Sequence, residues 1–187
     1  MNKISIYLAT GLMVTSGLLG AAVGYSFSPE YRTSMYEKGT MGLGRADKSL
    51  DKRYIDAMAA HHRGAMLLAE QAAQGAKRQE IKSLSKDILA GEPKLIAELY
   101  SWKRAWYGDA REAQDPVVAN LGPSDEKFDL RFLNALISHH EAGIEMTQEA
   151  RTKSSRAEVL DNADAVEAFL KTTLETFKSW RLEWYNV

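Results

Sequence analysis

The sequence predicts an all-α protein, a four-helix bundle built from two copies of one αα-hairpin and preceded by an N-terminal transmembrane helix. Three observations predict it. Ile4 to Phe27 is a 24-residue stretch without a charged side chain. Shifting the chain by 78 residues lays 54–107 over 132–185 without a gap. Each copy also holds two long segments with apolar residues at helical spacing, parted by a short break.

The first element is the membrane helix, because 24 residues at about 1.5 Å per residue exceed the ~30 Å of a hydrocarbon core. Lys3 and the α-amino group precede it, and Glu30, Arg32, Glu37 and Lys38 follow with balanced charge. The positive-inside rule then keeps the N-terminus in the cytoplasm. This predicts a single-pass inner-membrane protein whose remainder faces the periplasm or exterior. The same run also fits a secretory signal, with Gly20, Ala21 and Ala22 near a cleavage position. Ser16, Gly20 and Gly24 recur every four residues, a small-residue stripe suited to close approach of another transmembrane helix. Residues 28–46, with Pro29 and glycines at 39, 42 and 44, read as a linker, so the folded domain is expected over 47–187.

Within that domain the repeat is specific. His61-His62 falls on His139-His140, Ala72 on Ala150, Arg78 on Arg156 and Glu80 on Glu158. Ser101-Trp102 and Trp106-Tyr107 fall on Ser179-Trp180 and Trp184-Tyr185. Four helices follow: Asp47 to about Gln74, Lys77 to about Tyr107, Ser124 to about Thr152 and Ser155 to about Tyr185. Gly75 is expected to end the first in the left-handed conformation. Ser155 with Glu158 has the pattern of a capping box. Pro93 is expected to kink or interrupt the second helix, and residues 108–123 to form the crossover loop. The Trp-x-x-x-Trp-Tyr helix ends read chiefly as aromatic core plugs, with docking to a partner or membrane surface as the alternative.

Composition narrows the function. Twenty-four basic against 25 acidic residues leave a net charge of −1, and no basic run marks a nucleic-acid partner. The chain has no cysteine, which excludes disulfides, thiolate metal sites and cysteine nucleophiles.

All four histidines of the chain lie in the two His-His pairs. On a helical wheel Asp56, Arg63 and Glu70 mark the wet stripe of the first helix, with His61 opposite and His62 on the flank. In the third helix Asn134, Glu141 and Gln148 share a polar side, and His139 faces away with Phe132, Gly143 and Met146. Both pairs sit near mid-helix, so pseudo-twofold packing would bring four imidazoles together. Met58, Met66 and Met146 lie on or beside the histidine-bearing faces. Imidazole nitrogen with thioether sulfur and no thiolate suits copper, Cu(I) especially, while imidazole alone also serves Cu(II), Zn or Ni. The predicted metal ligands are His61, His62, His139 and His140, with Met58, Met66 and Met146 as helpers.

MAAHHRGAMLLAE at 58–70 and LISHHEAGIEMTQEA at 136–150 resemble the paired-histidine motif of the domain-of-unknown-function family 305. The resemblance spans roughly 47–186. It implies a ferritin-like four-helix fold, periplasmic or extracellular placement and, as in some members, copper binding. In the family pattern one Met lies three residues before the pair and another six after it. The first unit keeps Met58, His61, His62 and Gly64 but has Leu68 at the later Met position. The second keeps His139, His140, Ile144 and Met146 but has Leu136 at the earlier one.

A ferritin-like fold raises di-iron chemistry, which needs Glu-x-x-His on two helices. Met58, Ala59, Leu136 and Ile137 occupy the positions three before the histidines, so the motif is absent. No hydrolase elbow, phosphate loop or His-Glu-x-x-His occurs either. The sequence therefore predicts a non-enzymatic, membrane-anchored copper-binding protein for buffering or for delivery to a copper-accepting protein. The alternative is an accessory subunit docked on a larger membrane protein complex.

Overall fold

The computed structural model describes residues 42–187, which hold four helices and no strand. The expected membrane helix at 4–27 lies outside the described residues, and among those no helix is long and apolar enough to cross a membrane. The helices are α1 (Leu50–Gly75), α2 (Gln79–Tyr107), α3 (Phe128–Lys153) and α4 (Ala157–Tyr185). Helix α1 packs on α2 and α3 on α4, and the two hairpins meet through α1 against α3.

Burial follows that arrangement. From Phe128 to Ile137, α3 is buried on nearly every side, as a central helix should be, whereas α2 buries only Ile81, Ser85, Leu99, Tyr100 and Lys103. Asn134, expected on a polar side, is among the buried residues, and its Oδ1 accepts a hydrogen bond from Arg181 on α4.

Two apolar clusters form, one toward each end of the bundle. One joins Leu50, Tyr54, Ile55, Met58 and Ala59 of α1 to Met146 and Ala150 of α3. The other joins Leu68 and Ala72 of α1 to Phe128, Phe132, Leu133, Leu136 and Ile137 of α3. The start of one helix thus shares a cluster with the end of the other, so α1 and α3 run antiparallel. The 78-residue shift maps one cluster onto the other: Tyr54 onto Phe132, Leu68 onto Met146, Ile81 onto Val159, Leu99 onto Phe177. Each fully buried Leu, Ile, Met or Phe adds about 1.5–3 kcal/mol of transfer free energy.

The helix ends obey the same symmetry, with several corrections to the expected boundaries. Helices α1 and α3 begin later than expected, at Leu50 and Phe128, because Asp47 and Asp125 each close a turn onto the backbone N–H two residues on. Gly75 is not a left-handed terminator: it lies inside α1, and a Cβ there would intrude on the Phe128 ring. The chain leaves α1 and α3 in extended conformation at Ala76 and Ser154. Left-handed ends occur instead on α2 and α4, at Gly108 and Asn186. The Ser155–Glu158 capping box does not form. Helix α4 starts at Ala157 with the Ser154 hydroxyl accepting from Arg156 N–H. Pro93 does not interrupt α2, since its exposed position spares the core the lost main-chain hydrogen bond.

The repeat also begins earlier than the sequence alignment suggested. Arg53 donates to the carbonyls of Leu43 and Arg45 and to Asp47, and Arg131 does the same to Leu121, Pro123 and Asp125. Gly44 and Gly122, at φ 71° and 72°, take the left-handed conformation these two clamped loops require. The domain therefore reaches into the segment assigned to the linker, with Leu43 fully buried. The crossover between Tyr107 and Phe128 runs along the bundle, tied by Ala113 N–H to the Tyr100 hydroxyl and by the Gln71 amide to Ala119 and Leu121. The aromatic helix ends are half-buried against the two clusters. Arg156 lies 4.1 Å over the Trp106 ring and Arg78 lies 4.3 Å over Trp184. These contacts make them plugs between the hairpins.

Candidate metal centre

The apolar clusters leave a gap at the same height in both central helices. In α1 one cluster stops at Ala59 and the other resumes at Leu68; in α3 they stop at Ile137 and resume at Met146. The histidines fill that gap. His61, His62, His139 and His140 are all buried, the most exposed at 7%.

His61 and His139 stack face to face on the pseudo-twofold relation, with ring centroids 3.8 Å apart and planes 5° apart. Their chain neighbours flank the stack, His62 at 6.1 Å from His61 and His140 at 6.0 Å from His139. Gly143 makes the close approach possible, because a Cβ there would stand 2.6 Å from both His61 Cε1 and Leu170 Cδ1.

Three of the four rings are uncharged at neutral pH. Burial pushes the His61 and His139 imidazoles well below the usual range, and the neighbouring imidazoles add to it. Burial lowers His140 to about 4. At neutral pH these three rings are therefore neutral, each with one lone pair to give. Among the described residues buried His61 Nδ1 has no hydrogen-bond partner. Such an orphan costs about 1–3 kcal/mol unless something occupies it.

The two halves differ on their outer flanks. His140 meets the edge of Phe177 at 4.9 Å, an apolar contact. His62 instead faces Glu92 of α2, whose Oε2 lies 2.5 Å from His62 Nδ1, though outside aligned hydrogen-bond geometry. The 78-residue shift pairs Glu92 with Leu170, and a carboxylate in a leucine slot was the sequence signal that could have revealed it.

Of the expected helper residues, Met58 and Met146 are fully buried in one cluster, while Met66 is half-buried and belongs to neither. Among the described residues no group of three or more His, Cys, Asp or Glu side chains is already arranged to hold an ion. The stack explains this: lone pairs lie in the ring planes, so two parallel rings offer parallel rather than convergent lone pairs. The donor chemistry nevertheless fits a soft or borderline cation, with neutral imidazoles, thioethers in the adjoining core and a single nearby carboxylate.

Fold and site together define a class: a duplicated helical hairpin that buries paired histidines between two apolar clusters. The chain belongs to the family described as domain of unknown function DUF305, which matches residues 51–122 and 113–181, one match per hairpin. Three similar solved structures carry one protein's name. CopM in the Cu(I)-bound form is 26% identical, with a TM-score of 0.64 over 72% of this chain and 97% of that one. CopM in the Cu(II)-bound form is 25% identical, with a TM-score of 0.63 over 72% and 97% of the two chains. The apo form is 27% identical, at 0.64 over 72% and 98%. No curated protein matches this chain.

Proposed function

We propose that this protein binds copper through His61, His62, His139 and His140 and serves in copper buffering or delivery outside the cytoplasm, tethered by its N-terminal segment. The observation that carries the reading is the gathering of every histidine into one buried layer, with His61, His139 and His140 uncharged. Similarity to CopM, solved with Cu(I) and with Cu(II), supports copper as the ion. The uncharged run at 4–27 supports the tether.

In this reading copper is cargo, and it supplies the Lewis acidity that the neutral rings answer. The residues have three tasks. The neutral His61, His139 and His140 imidazoles give lone pairs without first losing a proton. The clusters above and below keep water away from the layer, which slows loss of the ion. Glu92, beside His62 Nδ1, stands where a carboxylate can orient that ring, as carboxylates beside ligating histidines commonly do. Because the His61 and His139 lone pairs run parallel, uptake entails turning at least one ring out of the stack.

The test compares copper content and Cu(I) and Cu(II) affinity of the purified chain with those of a variant carrying alanine at all four histidines, with helix content followed by circular dichroism. Tight copper binding that disappears in a still-helical variant supports the reading. Equal binding by both proteins overturns it.

A further inference from the structure

The methionines flanking the histidine pairs come from different repeats but share one end of the bundle. By the 78-residue shift, position 58 corresponds to 136 and position 68 to 146, so each repeat has one methionine and one leucine at these two places. Were α1 and α3 parallel, Met58 and Met146 would fall on opposite sides of the histidine layer. Their antiparallel packing crosses the pattern over. Met58 and Met146 are buried together in the cluster with Tyr54, Ile55 and Ala150, at 0% and 1% exposure. Leu68 and Leu136 are buried together in the cluster with Phe132 and Phe177. One face of the layer thus has both thioethers and the other has neither.

Packing alone does not account for this distribution. Leucine and methionine exchange in cores at small cost, and the symmetry-related positions have the same burial, so either residue would fill either place. What separates the two faces is donor chemistry. Thioether sulfur favours soft, monovalent ions such as Cu(I), and both methionines are next to the cluster gap that holds the His61–His139 stack.

We propose that the histidine layer has a single soft-metal face, taking one Cu(I) ion per chain with Met58 and Met146 as sulfur donors beside the His61 and His139 imidazoles, while the Leu68–Leu136 face takes none. The proposal rests on the copper reading above and adds to it a stoichiometry, an oxidation state and a side.

The experiment is a Cu(I) titration of the full chain against a chromophoric chelator under reducing conditions. It includes a Met58→Leu, Met146→Leu double variant, a Leu68→Met, Leu136→Met double variant and the four-histidine variant. These exchanges conserve volume, and circular dichroism checks that the helices persist. The expected results are one Cu(I) for the parent chain, a loss of about tenfold or more in affinity on removing the methionines, and a second Cu(I) on adding methionines to the other face. Two Cu(I) in the parent chain, or unchanged affinity without Met58 and Met146, overturns the single-face proposal while leaving histidine-dependent copper binding intact. A parent chain that binds no more Cu(I) than the four-histidine variant overturns the proposal and the copper reading together.

Discussion

Gly143 of α3 lies so close to His61 of α1 that a single added methyl group would stand 2.6 Å from the ring's Cε1 and 2.7 Å from its Nε2. The spacing of the two central helices, and with it the parallel stacking of His61 on His139, depends on that missing side chain. Gly143→Ala should therefore cost about 1–3 kcal/mol, the usual penalty for overpacking a filled core. The midpoint of urea unfolding checks it. Gly91→Ala is the control: among the described residues nothing beyond its chain neighbours and its own helix backbone lies within 4 Å of the added Cβ at this exposed helical position, so it should stabilise α2 by about 0.5–1 kcal/mol.

Asp129 gives a second prediction. It is buried, and its carboxylate accepts the backbone N–H groups of Lys77 and Arg78 just ahead of α2. Its symmetry mate Asp51 instead binds side chains, the Ser154 hydroxyl and the Arg156 guanidinium. Replacing Asp129 with Ala leaves main-chain donors unpaired in the interior and should cost about 1–3 kcal/mol. Asp51→Ala should cost visibly less, because its partners can turn to water. Thermal unfolding of both variants side by side settles the order, and equal losses would contradict it.

The buried histidines set a pH dependence. In the metal-free protein His61 and His139 titrate well below the usual imidazole range and His140 near 4, all mainly through burial, whereas unfolded histidines titrate near 6.5. The unfolded chain then binds protons more readily than the folded one between those values. Stability is complete above about pH 6.5 and falls as the pH drops below it, by about 1.4 kcal/mol per unit for each group. For His140 the loss reaches about 3 kcal/mol by pH 4. Chemical denaturation of the copper-free chain at pH 7.5 and pH 5 should show a clearly lower midpoint at pH 5, and matching midpoints would show that the histidines are not buried as described.

Glu92 should matter for affinity without being indispensable. Glu92→Gln keeps the size and polarity but removes the charge beside His62 Nδ1. Loss of an orienting carboxylate next to a ligating imidazole typically weakens metal binding by about 10- to 100-fold. A Cu(II) titration that shows no change would remove Glu92 from the site.

The helices, the duplication and the burial of both histidine pairs were legible in the sequence because each rests on a period that side-chain polarity records. What the sequence hid depends on contacts between elements. Glu92 sits on a different helix from His62, and only its pairing with Leu170 across the repeat sets it apart in the sequence. Gly75 reads as a terminator because glycine often ends helices, yet here it yields room to Phe128 across the hairpin interface. Asn134 looked solvent-facing on the wheel, but Arg181 on α4 reaches it inside. The clamps of Arg53 and Arg131 went unseen because they bind main-chain carbonyls, which almost any residue can supply, so Arg45 and Pro123 serve equally without resembling each other. The shared face of Met58 and Met146 needed the antiparallel packing of α1 on α3 before it could be recognised.

X-ray absorption at the copper edge of the loaded full-length chain shows whether copper binds in the buried histidine layer. Binding there gives nitrogen scatterers with the outer-shell pattern of imidazole, lost when the four histidines are replaced. A shell of light atoms without imidazole scattering, unchanged in the variant, would contradict it and place the copper elsewhere on the chain.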